Sequence, residues 1–216
     1  MKIKTISLNE NNGLYKWAFG FAVFSIVYNI GEGLISTYLG YEDESLALFG
    51  FGSDSFIEVI SGIGIAYMII RIQKSKISDR GNFERTALRI TGFAFYALVL
   101  GLVITSIYNI LSGNNPITTF WGVVISTISI LVMWLLVAGK RKVGIKLNSA
   151  PILADANCTM VCVYMSIILL ISSGIYELTS IPYIDSLGTL GLSYFAYKEG
   201  KECFEKANSN EYCSCD

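Results

Sequence analysis

Residues 46–70 read LALFGFGSDSFIEVISGIGIAYMII and run straight into RIQKSKISDRGNFER at 71–85. The first stretch is 25 residues long and apolar except for an aspartate, a glutamate and a few serines. That is the length at which an α-helix crosses the hydrocarbon core of a bilayer. The second stretch carries Arg71, Lys74, Lys76, Arg80 and Arg85, the signature of a loop that stays in the cytoplasm. The junction therefore predicts a spanning helix that ends inside the cell, and the rest of the chain can be threaded outward from it.

Runs of comparable character occur at about 15–38, 88–111, 117–138, 149–174 and 182–198, which gives six spans in all. The last is short and punctuated by glycine. In a six-span chain all 16 Lys and Arg fall on one side. Lys2, Lys4 and Lys16 precede or open span one, and six cations from Arg71 to Arg89 follow span two. Lys140, Arg141, Lys142 and Lys146 follow span four, and Lys198, Lys201 and Lys206 follow span six. The three opposite connectors hold no Lys or Arg, and their only charges are acids such as Glu42, Asp43, Glu44 and Glu177. One missed or extra helix would scatter this pattern, so both termini are expected in the cytoplasm. The expected organisation is an all-α membrane bundle over 15–198, a cytoplasmic segment at 1–14 and a short cysteine-containing tail at 199–216. The first apolar run lacks a small-residue cleavage pattern and is kept as a span.

Composition agrees. Hydrophobic residues make up 53% and charged residues 15% of 216, against about 25% charged in soluble domains. Mean hydropathy is +0.53. A net charge of −1 gives no electrostatic case for nucleic acid. Five cysteines, two inside an apolar run and three near the C-terminus, do not form a secreted disulfide framework. There is no histidine, so metal or proton chemistry must use carboxylates and thiols.

Those groups occur where they are costly. An aspartate at mid-span costs roughly 2.5–3.5 kcal/mol on insertion scales and faces a cavity or a partner. Span one holds Glu32, between Gly31 and Gly33; span two holds Asp54 and Glu58; span five holds Asp155, Cys158 and Cys162. Asp54 and Glu58, four apart, share a helix face, and Asp155, Cys158 and Cys162 follow a 0, +3, +7 pattern on another. At about 1.5 Å per residue, Glu58 and Cys162 both lie roughly 20 Å from the cytoplasmic end, and Glu32 about 22 Å. Antiparallel spans two and five can therefore bring their stripes together near the midplane. Two carboxylates and two thiolates suit Zn²⁺ or Cd²⁺ and argue against Mg²⁺ or Ca²⁺, which take oxygen-only shells. Such ligands bind metal deprotonated, so metal and protons compete. Glu32 reads equally as a ligand or an interhelical anchor, with an accessory or proton-relay role at the site also open, and Asp185 reads as an interfacial or capping residue. Cys213 and Cys215 read as a two-thiol chelating arm or as a tail without a role.

The segments SLALFGFGSDSFIE (45–58) and LADANCTMVC (153–162) resemble those of the cation diffusion facilitator, or cation efflux, family. The resemblance covers nearly the whole chain. It implies two metal ligands four apart in span two, falling on Asp54 and Glu58. It also implies a His and an Asp four apart in span five, where this chain has Cys158 and Cys162, a change that shifts preference towards soft metals. The chain resembles the short branch of that family without its cytoplasmic domain. The expected function is proton-coupled efflux of a divalent heavy metal, with no resident cofactor. Asp155 assists the site, the location is a cell (plasma) membrane, and a homodimer is open. The alternatives are a membrane metal sensor or accessory protein that binds without transporting and, last, a thiol redox protein built on Cys158 and Cys162.

Overall fold

A computed structural model describes residues 8–75, 82–113, 115–181 and 183–209. They form six helices and, among the described residues, no strand: α1 Leu8–Glu42, α2 Leu46–Ser75, α3 Asn82–Ser112, α4 Phe120–Leu147, α5 Ala150–Thr179 and α6 Ile184–Asn208. Five of these, α1 to α5, are long and apolar enough to cross a bilayer. The sixth is more polar because Lys198, Glu199, Lys201, Glu202, Glu205 and Lys206 crowd its C-terminal half. It is held in the bundle by α3 and α5, against which it packs. The chain is a multi-pass integral membrane protein, and its outward faces carry exposed apolar side chains such as Val27, Leu34, Leu100, Ile104, Leu131 and Leu135. Lipid, not water, is the solvent that makes such a surface stable.

The observed helices are longer than the apolar runs. The stretch 139–148 reads as a connector, yet α4 continues through Lys140 and Lys146 to Leu147. The stop is local chemistry: Asn148 adopts the left-handed conformation (φ 48°) and sends its N–H back to the Gly144 and Ile145 carbonyls. Ser149 then takes the N-cap position and Pro151 sits in the first turn of α5, where a missing N–H costs nothing. Likewise α6 runs ten residues past the expected end of its span, so 199–208 is packed helix, and a tail can begin only beyond Asn208. Apolar periodicity finds the part of a helix that lies in lipid; it does not find the amphipathic extension.

Helices pair α1 with α2, α4 with α5 and α3 with α6, and α2 also packs on α5 and α6. Small residues permit the closest approaches. A Cβ on Gly92 would sit 2.8 Å from the Phe204 ring, and one on Gly200 would sit 2.9 Å from the Tyr96 ring. Several hydroxyls inside the bundle are satisfied along their own helix, Ser25 donating to the Phe21 carbonyl and Ser166 to that of Cys162.

The half of the bundle nearer the acidic connectors has a packed interior. Ala47, Leu48, Phe51, Ile125, Met165, Leu169 and Leu192 form its apolar core. Asp185 closes the end of α2: it accepts from Ser45 Oγ at 2.6 Å, Leu46 N at 2.8 Å and Ala47 N at 3.3 Å. Glu177 does the same for α4, accepting from Thr118 Oγ1 and Thr119 N, each at 2.9 Å. In the outer α1–α2 connector, burial beside Glu177 and Glu42 pushes the Asp43 carboxyl above its usual range.

Candidate functional site

From Glu58 and Cys162 a cavity of about 90 Å³ runs towards the cytoplasmic end of the bundle. All six helices contribute to it, among them Asn29 from α1, Leu88 and Phe95 from α3, Met133 from α4 and Glu199 from α6. It is large enough for several waters.

Two of the residues singled out by sequence meet directly. The Cys162 thiol of α5 donates to Glu58 Oε1 of α2. The other carboxylate oxygen, Oε2, accepts from Asn29 Nδ2 of α1 at 2.9 Å. Asp54, one turn from Glu58, is only 3% exposed, and its Oδ1 has no hydrogen-bond partner. It also feels the charges of Glu58, Glu199 and Glu32. A buried carboxylate oxygen without a donor, among other acids, is stable only with protons or a cation to neutralise it.

The remaining members are placed differently. Cys158 faces α6, where Lys206 Nζ lies 3.2 Å from its sulfur. Asp155 pairs with Lys140 of α4 at 3.0 Å (Nζ to Oδ2), and Lys140 also donates to Thr159 Oγ1 at 2.9 Å. Glu32 accepts from Tyr28 Oη at 2.9 Å and from Ser55 Oγ at 3.2 Å, which makes it an anchor between α1 and α2. Of its flanking glycines only Gly33 is pressed, a Cβ there meeting the Phe56 ring at 3.1 Å; nothing approaches Gly31. Among the described residues, no three Cys, Asp or Glu groups stand close enough to share one ion. Cys213 and Cys215 lie outside the described residues.

Sequence reading misses four groups that line the cavity. Asn29 carries a signal, a polar residue three before Glu32 on the same face of an apolar run. Lys140 and Lys206 read as topology markers, and Glu199 reads as part of the tail. Only the continuation of α4 and α6 as helices brings these three inward.

Six helices with buried acids lining a cavity make up a polytopic membrane bundle. The sequence model described as the cation efflux transmembrane domain matches residues 17–208, and the chain belongs to that family. Its members move cations across a membrane. A comparison with curated proteins gave no significant match.

Proposed function

We propose that the chain exports a thiophilic divalent cation, Zn²⁺ or Cd²⁺, in exchange for protons, through a midplane site made of Asp54, Glu58, Cys158 and Cys162. The observation that carries this reading is the contact between Glu58 and Cys162 across α2 and α5, with the unpartnered Asp54 oxygen one turn away. One soft and one hard donor are in contact and a second carboxylate lies one turn away; brought together, they make a set that Zn²⁺ and Cd²⁺ accept and Mg²⁺ and Ca²⁺ do not. In the ion-free state protons hold the charge: the thiol already donates to Glu58, and the metal replaces that proton. Binding therefore weakens as pH falls on the side to which the cavity opens. Asp155 assists from the cytoplasmic side, with Lys140 balancing its charge until a cation approaches. Glu32 is available to relay a proton.

Metal flux into proteoliposomes under a pH gradient tests this. The wild-type chain is expected to move Zn²⁺ or Cd²⁺ against a proton flux, and Asp54→Ala, Glu58→Ala is expected to reduce transport to the lipid background. Undiminished flux in that double variant would remove the assigned site. Stoichiometric binding with no flux in the wild-type chain would instead make it a membrane metal sensor.

A further inference from the structure

The cations at the basic end of the bundle divide by what they face. Lys140 and Lys206 turn into the cavity and pair with Asp155 and Glu202, and Lys201 pairs with Glu205 on the surface of α6. Arg141, Lys142 and Lys146 are exposed on the lipid-facing side of α4, and among the described residues no carboxylate pairs with them. The helix itself supplies none, because Phe120–Leu147 contains no Asp or Glu. Towards the middle of the span the same side carries Leu131, Trp134 and Leu135, all exposed. Spacings of three, four and seven residues keep this series within one stripe of the helix. At 28 residues α4 is about 42 Å long, against about 30 Å for a hydrocarbon core and about 40–45 Å with both headgroup layers. Its last two turns therefore stand at headgroup depth. Arg141 is fixed there at the α4–α5 seam: its Nη2 donates to Asn157 Oδ1 at 3.1 Å, which leaves other guanidinium N–H groups for a second acceptor.

We infer that this stripe of α4 docks an anionic phospholipid, with its phosphate on Arg141, Lys142 and Lys146 and an acyl chain along Leu131, Trp134 and Leu135. Charge complementarity selects the occupant. Three uncompensated cations at headgroup depth attract a headgroup of net negative charge, whereas a zwitterionic one brings its own ammonium against them. The planar fork of Arg141 takes two phosphate oxygens, and the lysines reach the phosphate as point charges on flexible stems. Ile145, exposed between Lys142 and Lys146, keeps the stripe apolar enough to stay against the lipid rather than in water. A soluble oxyanion would satisfy the cations and leave the apolar track that continues from them unused. The site is independent of the cavity and of the ion proposed to pass through it.

Trp134 reports on the occupant directly. With Trp17→Phe and Trp121→Phe it is the single tryptophan of the chain, and it lies seven residues, about 10 Å, from Arg141 towards the middle of the span, at acyl-chain depth. The full-length chain is reconstituted in two kinds of mixed vesicle: chain-brominated phosphatidylglycerol with plain phosphatidylcholine, and chain-brominated phosphatidylcholine with plain phosphatidylglycerol. Quenching of Trp134 is expected to show the anionic lipid outcompeting the zwitterionic one by about fivefold, the factor that one cation at a charged surface supplies. Arg141→Gln, Lys142→Gln, Lys146→Gln together should bring the two lipids to parity. Lys201→Gln, which removes a cation already paired with Glu205, should leave the preference intact. All four positions are exposed, so neither variant disturbs the packed interior. Equal quenching by the two lipids in the parent chain overturns the docking site. So does a preference that survives the triple substitution, or one that falls as far with Lys201→Gln. A preference abolished by inorganic phosphate, but not by sodium chloride of the same ionic strength, would mark a site for a free oxyanion and overturn it too. None of these outcomes depends on which ion the chain carries.

Discussion

The two halves of the bundle are built from the same helices and have opposite interiors. Towards the acidic connectors α1 meets α2 through Gly40 and Gly52, and α4 and α6 meet α5 through Gly122 and Gly188; each would carry its Cβ into the neighbouring helix. Fully buried Ser36, Thr119, Ser173 and Thr189 fill the remaining space. Towards the cytoplasm the helices part around a cavity lined by Glu58, Lys140, Asp155, Cys158, Glu199 and Lys206. Small residues let backbones touch and leave no room for an ion; long charged ones hold the backbones apart and need counter-charges. The interior is thus packed with apolar and small residues towards the acidic connectors and hollow and charged towards the basic ones.

That contrast can be broken from either end. The largest change in stability is expected inside. Asp155→Asn leaves Lys140, 3% exposed, without its counter-ion, and breaking a buried pair in this way costs about 3–5 kcal/mol. Replacing both partners by apolar residues of similar size should recover most of the loss, as read by thermal unfolding in detergent. If Asp155→Asn alone is neutral, the inner half does not depend on paired charge.

Outside, Gly52→Ala would put a Cβ 2.6 Å from the Thr37 backbone nitrogen, and overpacking of this kind costs about 1–3 kcal/mol. Gly101→Ala, with nothing within 4 Å, is the control and should be neutral or stabilising by up to about 1 kcal/mol, the helix preference of alanine. Equal effects at the two positions, again by thermal unfolding, would show that the outer half is not tightly packed. The smallest effect is at the cap. Asp185→Asn keeps one of the two acceptor oxygens that hold Ser45, Leu46 and Ala47, and should cost about 1 kcal/mol. A loss well above that would mean the cap also fixes α6 against α2.

The legibility of the sequence follows the same division. Topology is readable because lipid imposes a length on every span and the membrane imposes a sign on every loop, so 16 cations on one side leave a single threading. Asp54 and Glu58 are readable because a carboxylate in an apolar run has no local use. Helix ends are less so, since beyond the lipid-facing run periodicity fades while the helix, and its burial, continue to Leu147 and Asn208.

By itself, then, the sequence determined six helices, the gathering of the cations at one end of the bundle and the stripe of acids and thiols on α2 and α5. Only the tertiary structure decided who meets whom: Glu58 with Cys162, Asp155 with Lys140, Cys158 with Lys206. Spacing along one helix fixes which face a side chain shares, because the helix repeat is rigid. Which neighbour that face meets depends on the rotation and tilt of two other helices, and those are set by the packing of the small residues in the packed half.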